Sequence, residues 1–235
     1  MSSILKISVI IPAYNEAETI NSCIANVKKN CEENCEIIIV DGSADGSTLS
    51  AVDDNRVKLI ASPPGRAVQM NYGAQKAEGD ILLFLHADTT LPPAAGTLVR
   101  KALNAPCATA GAFKLGFDTH QRSLKWIAYI ADLRCRIERV PYGDQAIFIS
   151  RSNFEKLGGF PEIPLMEDVE FFQNIKRQRL EIVILKESIT TSARRYLAAG
   201  PLCCALRNTF LRLLHFWGVK PLTLKKMYRK KGKRS

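Results

Sequence analysis

The chain reads as an α/β protein built on a mixed sheet flanked by helices. Apolar, β-branched runs recur at Lys6–Ile11, Glu36–Val40 and Ile81–Leu85. Strands without polar alternation are covered on both faces, as in a parallel sheet. Each run ends abruptly in a loop bearing acidic or amide groups: Tyr14-Asn15-Glu16, Asp41-Gly42-Ser43 and His86-Ala87-Asp88. Regular strand–helix alternation then gives way to mixed strands, which predicts a parallel ligand-binding half joined to a second, differently wired half.

The elements follow in order. After the first strand, Glu16–Lys29 is helical, with Ile20, Ile24 and Val27 on one face. Asn15 is placed to cap it and Glu18 to complete a capping box. Val57–Ala61 is a short third strand, and Ser62-Pro63-Pro64-Gly65 turns into a helix carrying Arg66, Gln69, Asn71 and Tyr72. The Ile81–Leu85 strand leads into a surface loop, Thr89–Pro93, and Ala94–Leu103 is a helix. Ala108–Phe117 has β character. Leu124–Val140 is helical, with Ile127, Ile130, Leu133, Ile137 and Val140 forming a stripe expected to lie in the core or an interface, together with Trp126 and Tyr129. Gln145–Ile149 is a strand, Asn153–Leu157 a short helix, Glu167–Arg177 a helix opened by acids as its dipole favours, and Glu181–Leu185 the last regular piece.

At 235 residues and 46% hydrophobic content the chain has enough material for one sizeable core. Its seven cysteines show no zinc-site spacing, and no basic region followed by an apolar stretch opens the sequence. Both point to free thiols in a reducing cytoplasm rather than to secretion. The net charge of +10 is unevenly spread: every acidic residue lies at or before Glu187, and twelve Lys and Arg follow it. The part expected to fold is therefore slightly acidic, so nucleic-acid binding is not expected.

Several residues carry more than one meaning. Asp88, at the end of a buried strand, is either a helix cap or a ligand for Mg²⁺ or Mn²⁺, which need hard oxygen donors. Asp41 is either a turn residue or a ligand group, and Asp45 in the same loop is a turn former. Glu167 and Asp168 serve either as first-turn acids or as chemistry. Tyr142, Asp144 and Gln145 form either a loop network or an acceptor contact. His120 and His215 have no partners in sequence.

Four colinear motifs narrow these choices: VIIPAYNEAETI, IIIVDGSADGS, GRAVQMNYGAQKAEGDILLFLHADTTLP and GGFPEIPLMEDVEFFQNIKR. Together they resemble the GT-A-fold glycosyltransferases of family 2, and most of all a small stand-alone bacterial branch with a His-Ala-Asp metal motif, over roughly residues 6 to 195. The resemblance implies a Rossmann-like mixed sheet that binds a nucleotide-diphosphate sugar and a divalent cation (Mn²⁺ or Mg²⁺). The sugar would pass to a hydroxyl acceptor by direct displacement with inversion. Carried over by motif, Pro12, Ala13, Tyr14, Glu16 and Asp41 line the nucleoside pocket, with Arg66 and Asn71 near the nucleotide. Asp88 holds the metal, and Asp168, in the Glu167-Asp168 pair, is the general base. One position departs from the family's Asp-x-Asp: His86 brings no negative charge, and either ligates the metal through its imidazole or bonds the ribose. Where relatives often place a late His ligand stands Arg194-Arg195, suited to direct contact with the diphosphate. The alternatives are a catalytically silent nucleotide-sugar-binding protein or, with no Gly-rich basic loop to support it, a sugar nucleotidyltransferase.

On this reading residues 1–198 form the transferase domain, its nucleotide-binding half about 1–105 and its acceptor half about 106–198. Residues 199–235 form an amphipathic helix and a basic tail. Leu202, Leu206, Phe210, Leu213, Leu214 and Trp217 share one helical face, while Arg207 and Arg212 argue against a membrane span. Lys225-Lys226 and Arg229–Arg234 then suggest peripheral attachment to an anionic membrane surface, at the inner face. The other reading is a helix packed on the domain.

Overall fold

The structure, a computed structural model, describes residues 4–31, 34–105 and 108–230. The first half alternates as expected: β1 (Ile7–Ala13), α1 (Ile20–Cys31), β2 (Cys35–Asp41), a single-turn α2 (Ser47–Ser50), β3 (Lys58–Ala61), α3 (Arg66–Lys76) and β4 (Ile81–Phe84). Then come β5 (Thr89–Thr90), α4 (Ala95–Leu103), β6 (Ala108–Lys114), α5 (Arg122–Glu138), β7 (Ile147–Ser150) and α6 (Arg151–Lys156). The chain continues through α7 (Glu167–Arg177), β8 (Glu181–Ser188), β9 (Thr190–Thr191), α8 (Arg194–Ala199), α9 (Pro201–Phe216) and α10 (Pro221–Lys230).

Seven strands form one sheet in the order β3-β2-β1-β4-β7-β6-β8, and β5 pairs with β9 in a small separate ribbon. The first four are parallel, with Ala13 opposite Asp41 at the carboxyl edge. β7 runs antiparallel to both β4 and β6, and β6 is parallel to β8. Both faces of the parallel half are covered. Ile7, Val9 and Ile11 pack with Ile20, Ile24 and Val27 of α1 and Val99 of α4. Ile10, Ile38 and Val40 pack with Ala67 and Met70 of α3, and this layer extends through Phe84, Phe154, Phe160 and Phe171 to α7. Coverage on both sides is why these strands read as continuous apolar runs.

Four expectations are corrected. The capping box does not form: Asn15 adopts a left-handed φ of 56°, whereas a cap residue sits in the β region. The chain makes a turn in which Glu16 O accepts from the amides of Thr19 and Ile20, and the helix starts at Ile20. Thr89-Thr90 is not free loop but pairs with Thr190-Thr191. Most of the stripe of Leu124–Val140 does not reach the core: Trp126, Tyr129, Ile130, Leu133 and Ile137 are exposed, which leaves the interface reading, while Val140 is buried and α5 otherwise buries Leu124, Ala128, Asp132 and Cys135. Within the basic tail, Pro221–Lys230 forms α10 with Leu224 fully buried. Leu222, Leu224 and Met227 are too few and too unevenly spaced among the lysines to show as a helical period.

α3 crosses β1 at Gly73, where an added Cβ would lie 2.4 Å from Ile10 Cγ2 and 3.1 Å from Val40 Cγ2. Backbone and sheet approach each other there with no room for a methyl group. Gly73→Ala is therefore expected to cost about 1–3 kcal/mol through overpacking, despite alanine's better helix propensity. Urea unfolding of the variant measures it; an unchanged or raised stability contradicts the close packing.

Candidate active site

The carboxyl edge of the parallel strands collects the polar residues. At the end of β1 and β2, Ala13 and Asp41 are buried, and the Gln69 side chain ties the two strands by donating to Ala13 O (2.6 Å) and Val40 O (2.8 Å). Asp41 Oδ1 accepts from the amide and hydroxyl of Ser43 at 2.9 and 2.5 Å, while Oδ2 is buried with no hydrogen-bond partner. A buried carboxylate oxygen left unpaired is costly, and this one can accept a further hydrogen bond. Glu16 is held on the same edge, its amide donating to Thr48 Oγ1 and its carboxylate accepting from Thr19 Oγ1. Tyr14 stands exposed beside it. Asp45 accepts from Ser47 and serves the turn, as expected.

Next to this edge lies a pocket whose wall includes Arg66, His86, Asp88, Tyr142, Asp144 and Asp168. These residues come from α3, the end of β4, the 3₁₀ turn Gly143–Gln145 and the start of α7. Asp168 is buried; its Oδ2 accepts from the Gly143 amide at 2.6 Å and from Arg66 Nη2 at 3.3 Å, and its Oδ1 from the Val169 amide at 2.8 Å. Glu167 lies under the pocket rather than in its wall and pairs with Arg66 Nε. Burial opposes the charge of Arg66, but Glu167 and Asp168 outweigh it and drive the guanidinium's pKa up. A Cβ on Gly143 would come within 3.2 Å of both Arg66 Nη1 and Asp168 Oδ2. The glycine lets the turn approach the pair.

His86 and Asp88 flank Ala87 where β4 leaves the sheet. Burial, together with the positive charges of Arg66 and Arg195, lowers the His86 pKa to about 3, and its Nε2 is buried without a partner. A neutral imidazole with an unengaged nitrogen is the form that binds a metal. Among the described residues no three His, Cys, Asp or Glu converge as a metal cage. Asp88 with substrate phosphates is nonetheless a donor set that suits Mg²⁺, which is bound by one or two carboxylates with phosphates, whereas the imidazole of His86 is a softer ligand than Mg²⁺ prefers.

The residues marked in the sequence separate here. Arg195 joins the pocket, where it interacts electrostatically with Tyr228, Asp88 and Asp144. Arg194 turns the other way, 3.9 Å from Glu16 Oε2. Asn71 is spent on structure: its amide donates to Phe160 O (2.8 Å) and accepts from Phe160 N (3.0 Å). Gln145 is also fully buried, donating to Phe113 O (3.0 Å) and accepting from Tyr142 N (2.9 Å), so of the Tyr142, Asp144 and Gln145 cluster only the first two face the pocket. Tyr142 is capped by Arg134, 3.8 Å above its ring. Sequence reasoning missed Tyr196, Asn208, Leu211 and Tyr228, which α8, α9 and α10 bring to the pocket wall. Their spacing carries no motif, because they reach the site through tertiary packing.

The fold is of the GT-A type, a Rossmann-like parallel half joined to an antiparallel half. The chain belongs to a named family within it: the model for glycosyl transferase family 2 matches residues 8–155. An uncharacterized glycosyltransferase of Haemophilus influenzae is 36% identical over 92 residues, covering 35% of this chain and 36% of that protein. An undecaprenyl-phosphate 4-deoxy-4-formamido-L-arabinose transferase of Proteus mirabilis is 35% identical over 99 residues, covering 37% and 30% respectively. The chain thus spans about a third of the length of the curated relatives it matches. Among solved structures, a mannosyltransferase of Pyrobaculum calidifontis in complex with GDP-Man and Mn²⁺ superimposes with a TM-score of 0.63 at 24% identity, covering 80% of this chain and 57% of that one.

Asp144 offers a test of the pocket's electrostatics. Burial, then the charge of Asp168, push its pKa up to about 6 against the pull of Arg66 and Arg195, and its Oδ1 is buried without a partner. With an unfolded value of about 3.9, the folded chain holds this proton between pH 4 and 6 where the unfolded chain has lost it. The contribution of Asp144 to stability is therefore greatest below pH 4 and falls as pH rises through 6, by on the order of 2–3 kcal/mol. Asp144→Asn is expected to match the native protein at pH 4 and to exceed it at pH 7.5. Urea unfolding at the two pH values measures the difference, and equal differences at both would show that no proton is held.

Proposed function

We propose that the protein is an inverting glycosyltransferase that moves a sugar from a nucleotide-diphosphate donor to a hydroxyl acceptor by direct displacement. One observation carries the reading: the buried Asp168 carboxylate, held by Gly143 and Arg66, shares a pocket with His86 and Asp88 from the end of β4. The donor's nucleoside would lie along Pro12, Ala13, Tyr14, Glu16 and Asp41, with the unpaired Asp41 oxygen accepting from base or ribose. Asp88, with His86, would hold a divalent cation, which when bound supplies Lewis-acid neutralisation of the departing diphosphate. Arg195 would add a fixed positive charge on the same side, and Arg194 would serve the donor from the α1 side.

The acceptor's hydroxyl then attacks the anomeric carbon as its proton passes to Asp168. The bond to the diphosphate breaks with its electron pair, and the nucleoside diphosphate leaves. A single displacement of this kind inverts the anomeric centre. Arg66 is a positioning residue: it fixes the orientation of Asp168 and balances Glu167, so that the base is aimed before substrate arrives. Tyr142 and Asp144 line the acceptor side.

The mannosyltransferase that shares this fold is described with GDP-Man and Mn²⁺, which supports a nucleotide-sugar and a divalent cation as the ligands to try first. The basic C-terminus supports a cytoplasmic protein drawn to an anionic membrane surface. No helix among the described residues is long and apolar enough to cross a membrane.

Asp168→Asn keeps the side chain's size and removes its basicity, so turnover is expected to fall by about 10²–10⁴-fold with donor affinity little changed. Turnover of uridine- and guanosine-diphosphate sugars, with and without Mn²⁺, measures this, beside thermal melting to exclude unfolding. A folded variant that transfers sugar at the native rate would reduce Asp168 to a helix-start acid. Binding of donor by the native protein without turnover would favour a silent binding protein. In the same assay Asp88→Asn is expected to weaken Mn²⁺ and donor binding together, because an amide cannot supply the anionic ligand.

A further inference from the structure

Two neighbouring helices are turned inside out. A surface helix of a water-soluble domain normally buries its apolar stripe and shows its polar face. α9 does the reverse: Leu202, Leu206, Phe210, Leu213 and Phe216 face solvent, followed by Trp217. Its polar residues face the protein instead. Arg212 Nη1 donates to Glu138 Oε1 at 2.7 Å, His215 Nε2 lies 3.4 Å from Glu170 Oε2, and Arg207 stacks over the Tyr228 ring. α5, which packs against α9, repeats the pattern with its exposed Trp126, Tyr129, Ile130, Leu133 and Ile137 around a buried Asp132 paired with Arg136. Ile137, Phe216 and Trp217 are 73, 77 and 72% exposed, more than scattered surface apolar residues require.

We infer that α5 and α9 form a face that inserts into an anionic lipid bilayer, with the basic C-terminal segment lying on the headgroups around it. Charge selects this occupant over a second copy of the chain. Eight basic and no acidic residues follow Val219, and in the structure Lys220 and Lys226 stand exposed beside α9. A symmetric dimer through α9 would bring two such segments together without compensation, whereas anionic headgroups neutralise them. Trp and Tyr at the edge of an apolar face are also what a lipid–water boundary favours. The inference goes beyond attraction of a basic tail, because it assigns penetration to folded helices. It also makes α9 the partition between the bilayer and the pocket, which Asn208 and Leu211 line from the helix's other side. It does not depend on the transfer reaction.

The chain has two tryptophans, Trp126 on α5 and Trp217 at the end of α9, so selectively excited tryptophan fluorescence reports this face alone. The full chain is mixed with vesicles of phosphatidylcholine containing phosphatidylglycerol at roughly one lipid in three, and with pure phosphatidylcholine vesicles as control. The expected result is flotation with the anionic vesicles, a blue shift, and quenching by brominated acyl chains in both Trp126→Phe and Trp217→Phe. Leu206→Glu combined with Ile130→Glu, both at exposed positions, should reduce flotation at least tenfold while circular dichroism is unchanged. Flotation without blue shift or quenching would leave only tail attraction and overturn the inference, as would no flotation at all. A blue-shifted dimer in the absence of lipid, made monomeric by Leu206→Glu, would assign the face to a second copy. Asp168→Asn should insert normally, so failure here and failure of the catalytic reading are separate results.

Discussion

The arrangement of the site depends on one ion cluster, in which a half-buried Arg66 meets the buried carboxylates of Glu167 and Asp168. Arg66 begins α3 in the parallel half, and Glu167 and Asp168 begin α7 in the other half. A cation in the first turn of a helix opposes that helix's dipole, so Arg66 gains nothing from α3 itself. What holds it is the pair of carboxylates across the pocket, which in turn suit the N-terminus of α7. Without Arg66, the two carboxylates would be adjacent buried charges with no cation between them, which is destabilising. Together with Arg66 they lock the two halves of the sheet in one relation and leave an Asp168 carboxylate edge directed at the pocket.

A second tie works on the other side. The Thr89-Thr90 and Thr190-Thr191 ribbon, reinforced by the Thr89–Thr191 hydroxyl contact at 3.1 Å, fastens the loop carrying Asp88 to the segment carrying Arg194 and Arg195. Asp118 completes the join by accepting from the Ala193 amide at 2.7 Å. Because this join starts α8, consecutive arginines diverge, one toward Glu16 and one toward Asp144. An acidic residue that ends a strand and a guanidinium far along the chain thus face one space. Between them they can balance a cation and a diphosphate.

The C-terminal helices complete the pocket and also create the molecule's least water-adapted surface. These two features share one cause. α9 gives its polar face to the pocket wall and to Glu138 and Glu170, so its apolar face has nowhere to go but outward. The α5 stripe also lies outward: the inner positions are Leu124, Ala128, Asp132 and Cys135, and Asp132 pairs with Arg136 and Lys114.

The sequence by itself determined the parallel half. Uninterrupted Ile and Val runs require cover on both faces, and Asp41 and Asp88 following such runs must emerge at the carboxyl edge. α7 was legible to the residue, because its apolar period and its opening acids agree. Only the tertiary structure decided which polar residues meet. Asn71 and Gln145 look like site residues in sequence but satisfy buried backbone groups, and nothing in their neighbours distinguishes the two uses. Arg66, Asp144 and Tyr228 are brought together from three distant segments, and that convergence has no local period. Nor could periodicity tell which way α5 and α9 face: it shows that a helix has two unlike sides, and packing alone decides which side is turned to the protein.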